Sequence, residues 1–271
     1  MQVIITLNNA ESMPLAPVMG RSAISYVIAS FSPKWKLIFA VNEKFKNTEL
    51  ESEIKKHSED AVVSYVPETV RGSSDAVSAV LHLLDPDDSV AVTRGDLAMT
   101  WNADAFEKFV ANSSCNLSVV SLTGFHPSQL GPSTYLFLKV DEDTRTVTKF
   151  KQNLSFGTNI EKEWMVAGFY YFRSVGLLKQ GFEIKPNRDV ENEDKNDISF
   201  VVNALIFDRK ISALNYPISH YLQLSSPEDI EFIGSWYKFI VVENKKSQFE
   251  TDSVEAKVHS YFKYLFRRLS R

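Results

Sequence analysis

Asp96 is the side chain best placed to do chemistry. It follows the apolar run Val90-Ala91-Val92, and Gly95-Asp96 lies just beyond it. A carboxylate at the carboxyl end of a buried strand sits where open α/β sheets present their ligands. Alone there, it suits a magnesium ion shared with substrate phosphates, because magnesium keeps most of its waters and needs few protein ligands. A Gly-Asp pair is also an ordinary turn, and spacing alone does not choose between the two. The second candidate is Pro67-Glu68-Thr69-Val70-Arg71-Gly72-Ser73-Ser74-Asp75-Ala76, a loop running into a helix. Gly72 permits close backbone approach and Ser73 is a good N-cap. The amides there can meet an anion or a base edge, or simply be capped. Asn8-Asn9 ends the first apolar run and falls at the same edge.

Other chemistries are excluded by the residues at hand. The five histidines, His57, His82, His126, His220 and His259, show no HxH or HxxxH spacing, and Cys115 is the single cysteine. No zinc constellation, intramolecular disulfide or CxxC site can be built from them. A G-x-S-x-G elbow, a P-loop and a G-x-G-x-x-G fingerprint are all missing, which removes the hydrolase, P-loop and dinucleotide readings.

The elements that must position these residues alternate. Val3-Ile4-Ile5 reads as a buried strand, residues 23–31 as a helix closed by Pro33, and residues 37–41 as a second strand. Residues 49–57 form a charged helix, Val62-Val63 begins a third strand, residues 74–84 form a well-patterned helix ended by Pro86, and residues 90–92 form a fourth strand. This order predicts an α/β fold, a mostly parallel central sheet flanked by helices. After residue 116 the pattern turns β-rich. Strands are expected over 117–122, 135–140, 146–150, 168–172 and 211–214, with a hairpin turn at 141–144 and a helix over 197–207. The polar stretch 187–196 reads as a mobile loop.

With 44% hydrophobic and 24% charged residues in 271, the composition is that of a globular protein with a sizeable core. A formal charge of −4 disfavours a generally basic nucleic-acid-binding surface. The start is too polar for a signal peptide or membrane anchor, so a soluble, cytoplasmic protein without a transmembrane segment is expected. The tail differs: from Thr251 onward it carries five basic and two acidic side chains, with Val258, Tyr261, Phe262, Leu265, Phe266 and Leu269 at helical spacing. Such a basic amphipathic helix either packs on its own body or docks on an anionic membrane, a protein partner or a second copy.

Taken in order, several motifs resemble those of the sugar-phosphate nucleotidylyltransferases, in particular the glucose-1-phosphate thymidylyltransferase-like proteins of bacterial surface-polysaccharide clusters. They are Pro14-Leu15-Ala16-Pro17-Val18-Met19-Gly20-Arg21 with Ile24-Ser25-Tyr26-Val27-Ile28, then Arg71-Gly72-Ser73-Ser74-Asp75-Ala76-Val77, then Gly95-Asp96 with Trp101-Asn102 and Phe106. His126-Pro127, Val147-Thr148-Lys149-Phe150, Ala167-Gly168-Phe169-Tyr170-Tyr171-Phe172 and Tyr221-Leu222-Gln223-Leu224-Ser225-Ser226-Pro227-Glu228-Asp229-Ile230 continue the series. The resemblance implies the nucleotide-diphospho-sugar transferase sandwich, Rossmann-like, with an inserted β-rich sugar-binding region. It divides the chain into a nucleotidyltransferase-like part over 1–240 (nucleotide half 1–115, sugar half 116–240) and a helical extension over 241–271. It implies nucleotide contacts at Asn8, Arg71, Gly72, Ser73 and Ser74, sugar contacts at Gln152 and Gly168, and a magnesium position at Asp96, with Gln223 where many relatives have a second metal Asp.

The departures from the family pattern concern charge. Leu7-Asn8-Asn9-Ala10-Glu11-Ser12 stands where a glycine-rich loop with an Arg should wrap the nucleotide phosphates, and Glu11 would repel them. Met13 replaces a lysine, and Lys151-Gln152-Asn153 stands where "EKP" is expected. Nucleotidyl transfer is mostly positioning and charge neutralisation, and each lost cation costs about a hundredfold in rate. Arg21, Arg71, Arg94 and Lys151 are the nearby candidates to substitute. Two readings follow. In one, the chain transfers NMP from an NTP to a sugar 1-phosphate or similar small molecule, with Asp96 catalytic and magnesium-bound. In the other, it is an inactive homologue that binds a nucleotide or nucleotide sugar and works through a partner. A glycosyltransferase would need a DxD-type motif after a strand, and Asp85-Pro86-Asp87-Asp88 precedes one.

Overall fold

The computed structural model describes residues 1–9, 13–70, 72–131, 136–152, 155–184, 196–244 and 249–269. Its strands are β1 (Gln2–Leu7), β2 (Lys36–Asn42), β3 (Val62–Val66), β4 (Val90–Arg94), β5 (Leu97–Met99), β6 (Leu117–Leu122), β7 (Leu136–Val140), β8 (Val147–Gln152), β9 (Trp164–Phe172), β10 (Ala213–Pro217) and β11 (Tyr221–Gln223). The helices are α1 (Ala23–Ile28), α2 (Leu50–His57), α3 (Ser73–Val80), α4 (Ala103–Asn112), α5 (Val175–Phe182), α6 (Ile198–Phe207), α7 (Pro227–Tyr237) and α8 (Val254–Leu269).

One sheet carries the order β8-β7-β9-β4-β1-β2-β3, with β6 pairing β9 and β10 pairing β6. The β4-β1-β2-β3 half is parallel, as the strand–helix alternation of the first half requires. Its strands are almost continuously apolar because helices cover both faces: every residue of β1 is buried, from Gln2 to Leu7. The second half is antiparallel where β9 meets β4, β6 and β7, so the sheet as a whole is mixed. It runs unbroken across residue 115, because β9 pairs directly with β4.

β9 changes neighbours partway along. Trp164 and Met165 pair with β7, whereas residues 169–172 pair with β4. The register against β6 shifts between Val166 and Phe169, and Gly168 sits in that bulge with φ +72. The strand therefore starts four residues before the glycine, not at it: an isolated glycine in an apolar run marks a bulge rather than a boundary. The strand expected over 211–214 is likewise displaced, to Ala213–Pro217. The helix expected over 74–84 begins at Ser73, with Gly72 rather than Ser73 as its N-cap, and its last turn is a 3-10 turn over Leu81–Leu83. Of the loop expected over 187–196, only Asn196 falls within the described residues.

Two clusters of buried side chains lie on opposite faces of the sheet, one centred on Phe39, Phe106 and Phe169, the other on Ile38, Val92 and Phe172. The apolar stripe of α8 is used internally. Val258, Tyr261, Phe262, Leu265 and Phe266 are all buried against the first cluster. Among the described residues no helix is long and apolar enough to cross a membrane.

Candidate functional site

The change of neighbours in β9 leaves a gap beyond the carboxyl end of β4, and a cavity of about 870 Å³ opens there. β4 and β9 form its floor, the N-terminus of α6 one wall, and β11, α7 and α8 the other. Gly168 is one reason it is open: a Cβ there would lie 2.8 Å from Leu97 Cδ1 and 3.8 Å from Arg94 Cδ. Of the residues anticipated from sequence, Ser73, Gln152, Gly168 and Gln223 line the cavity. Asn8, Gly72, Ser74 and Asp96 do not, and Arg71 and Asn153 lie outside the described residues.

Asn8, Gly72 and Ser74 are instead engaged by the chain itself. Asn8 Nδ2 donates to the Gly72 carbonyl at 2.9 Å, which ties the end of β1 to the N-cap of α3. The Ser74 amide donates to the Asn196 carbonyl at 2.8 Å. Ser73 Oγ accepts the Ile198 amide at 2.8 Å and donates to Asp197 Oδ2 at 3.1 Å. Asp197 Oδ1 in turn caps α6 by accepting from the Ser199 amide at 2.8 Å. Residues 196–198 therefore lie over the start of α3, and the amide that would face a base edge is already paired. Ser74 Oγ is buried with no partner among the described residues.

Asp96 is where the strand–turn reading puts it, 7% exposed, with its own carbonyl accepting from the Leu224 amide at 2.7 Å. Its carboxylate is buried behind the cavity lining rather than part of it. Arg94, two residues earlier on β4, turns its guanidinium back so that Nη2 lies 2.5 Å from Asp96 Oδ2 and 3.2 Å from Ser225 Oγ. Asp96 raises the Arg94 pKa further, so the guanidinium is charged at every accessible pH. The Arg94 side chain remains 49% exposed and lines the cavity, the one cation to do so among the described residues. Asp96 Oδ1 is buried without a partner among them.

The remaining carboxylates are held by their own donors. Asp229 closes the capping box of α7 with Ser226, and its Oδ2 accepts from the Ser225 and Ser226 amides at 3.1 and 3.2 Å and from Gln223 Nε2 at 3.3 Å. Burial raises the pKa of Asp229. Opposite, His126 stacks on Tyr221 with centroids 4.0 Å apart, and burial pushes its pKa down to about 3. It is neutral: Nδ1 accepts from the Ser128 amide at 3.1 Å, which leaves Nε2 to donate to the Tyr221 carbonyl at 3.4 Å.

A magnesium ion does not fit this arrangement. One oxygen of Asp96 is taken by a fixed cation, and Gln223 is a neutral amide already donating to Asp229. A dication beside Arg94 would meet like charge at close range. Arg94 was readable in sequence only as a nearby cation, and Asp197 only as a helix start. Tyr221 was readable only as the start of a family-like motif, and Tyr261 only as part of an aromatic stripe.

The architecture is the nucleotide-diphospho-sugar transferase fold, with its cleft at the carboxyl edge of the parallel strands. The same fold is found in a nucleoside-diphosphate-sugar pyrophosphorylase from Vibrio cholerae RC9 (12% identity, 87% of this chain and 100% of that one, TM-score 0.67). It recurs in a UDP-glucose pyrophosphorylase complexed with UDP-glucose (12% identity, 88% and 98%, TM-score 0.65) and in the inositol-1-phosphate CTP transferase of T. maritima (11% identity, 88% and 96%, TM-score 0.62). No protein-family model and no curated protein matches the chain.

Proposed function

We propose that this is a nucleotidyltransferase-type protein whose cavity takes a sugar phosphate or the sugar end of a nucleotide sugar. The observation that carries this reading is the gap at Gly168. It opens beyond the carboxyl end of β4, with the polar side chains of Gln152 and Gln223 in its lining and Arg94 offering a cation to phosphate. The solved structures of the same fold are named for nucleotide sugars and an inositol phosphate, which supports the substrate class. The reaction in keeping with it is attack of a sugar 1-phosphate oxygen on the α-phosphate of a nucleoside triphosphate. The new phosphoanhydride bond forms as the bond to the β-phosphate breaks, and pyrophosphate leaves. Synthesis of a surface polysaccharide is a setting for such a product.

A second reading is binding without transfer. It is favoured by the hydrogen bonds Asn8–Gly72 and Ser74–Asn196, which occupy groups a nucleotide would use. Pyrophosphate release from a panel of nucleoside triphosphates and sugar 1-phosphates, with parallel calorimetry of nucleotide sugars, separates the two. Turnover with one pair establishes transfer. Binding of a nucleotide sugar with no turnover establishes the second reading, and neither result removes the cavity from this substrate class.

A further inference from the structure

We infer that Arg94 is the resident cation of the cavity, takes the place beside Asp96 that a divalent metal would need, and holds the ligand's phosphate without metal. This rests on the reading above only in that the ligand carries a phosphate.

The geometry supports each part. Arg94 engages its neighbours through Nη2 alone, to Asp96 and Ser225. Its remaining N–H donors are uncommitted among the described residues, and its side chain is half-exposed into the cavity. A guanidinium with a free edge matches a phosphate through paired hydrogen bonds. Asp96 then competes with the phosphate for the guanidinium. Its buried carboxylate holds one nitrogen of the fork. The other charges facing the guanidinium are Asp197 across the cavity and Asp229 and Glu228 on α7. Asp197 and Asp229 accept hydrogen bonds from their own neighbours, which leaves Arg94 as the group with donors to spare.

The metal and guanidinium readings predict opposite signs for one substitution. If Asp96 were a metal ligand, Asp96→Asn would weaken phosphate binding. With Arg94 as the phosphate donor, Asp96→Asn removes a competing negative charge and tightens it.

The test is titration of inorganic phosphate into the full-length protein, followed by phosphorus NMR line width, in EDTA and again in excess magnesium. Binding in EDTA is expected, with no gain from magnesium. Arg94→Gln should weaken it at least about tenfold, the loss of a charged hydrogen bond, and Asp96→Asn should strengthen it about fivefold. Titration of Mn²⁺ into wild type, followed by electron paramagnetic resonance, needs no variant. It should show no bound ion that Asp96→Asn removes. Phosphate binding only with magnesium, no phosphate binding at all, or Mn²⁺ uptake that depends on Asp96 would each overturn the inference. Metal-dependent binding of a nucleotide sugar would do so while leaving the functional reading standing. Metal-free phosphate binding without any nucleotide-sugar binding would do the reverse.

Discussion

The phenol of Tyr261 in α8 donates to the Tyr221 carbonyl at 2.7 Å and accepts the Tyr221 amide at 3.1 Å. One side chain of the C-terminal helix thus serves both backbone groups of a residue in β11. β11 is a three-residue strand paired on one side with β5, and its other edge would otherwise need water or another chain. Because Gln223 and Tyr221 both line the cavity, the helix that follows residue 240 completes the site.

Tyr261→Phe removes the hydroxyl and keeps the ring. The Tyr221 carbonyl retains His126 Nε2, so the amide bears most of the loss. A buried amide deprived of its acceptor costs about 1–3 kcal/mol, readable as a lower urea midpoint with unchanged slope. The readout specific to this contact is faster hydrogen exchange at the Tyr221 amide, and unchanged exchange there would show that the latch does not hold the edge.

Sequence pattern carried the parallel half of the sheet because each strand there is a short apolar run bounded by polar residues. It did not carry β5 or β11, whose pairing of Met99 with Tyr221 joins segments more than a hundred residues apart in three-residue strands. The helices α4, α5 and α7 were not anticipated from sequence, although the caps Asn102, Ser174 and Ser226 mark where they start. In the site, Asp96 was legible because its place follows from the strand it ends. The direction of Arg94 was not, since a charged residue at a strand end reads as solvated. What turns it inward is Asp96, two residues along the same chain, and Ser225, over a hundred residues away.

Gly72 has φ +84 and ψ 171, a region open essentially to glycine alone, and a Cβ there would be driven into the Asn196 carbonyl. Gly72→Ala is therefore expected to cost about 1–3 kcal/mol from backbone strain, with the clash in addition. The structural consequence is specific: residues 196–198 must shift away from α3, and the Ser74 amide loses its acceptor. Chemical denaturation reads the first effect and hydrogen exchange at Ser74 the second. A variant as stable as wild type, with Ser74 still protected, would contradict the packing of this corner.

The tail helix divides by face. Phe266 is 2% exposed, stacks on Phe262 at 5.3 Å and meets Tyr237 edge-on at 5.4 Å. Phe266→Ala should cost about 3–5 kcal/mol and put at risk the wall that Phe262 gives the cavity. Arg267→Ala, on the exposed face, should stay within about 0.5 kcal/mol. Equal effects from the two would mean that α8 does not pack on its own body in solution.

His126 gives the fold an acid-side dependence whose sign can be worked out. Burial holds its pKa at about 3, against an ordinary value of 6.5, so the folded state keeps it neutral while the unfolded chain takes up a proton as pH falls. Between those two values the unfolded state binds more protons, and stability drops with falling pH by up to about 1.4 kcal/mol per unit for this one residue. His220, pushed by burial to about 4, acts in the same direction. Protonation would place a charge where Nδ1 now accepts the Ser128 amide, turning that hydrogen bond into a donor–donor clash. Urea midpoints at about pH 7 and about pH 5.5 should therefore fall for wild type, and His126→Gln should lose less over the same interval while being weaker at the higher pH. The same fall in both proteins would show that His126 protonates in place, and the neutral assignment of the ring beside Tyr221 would have to be abandoned.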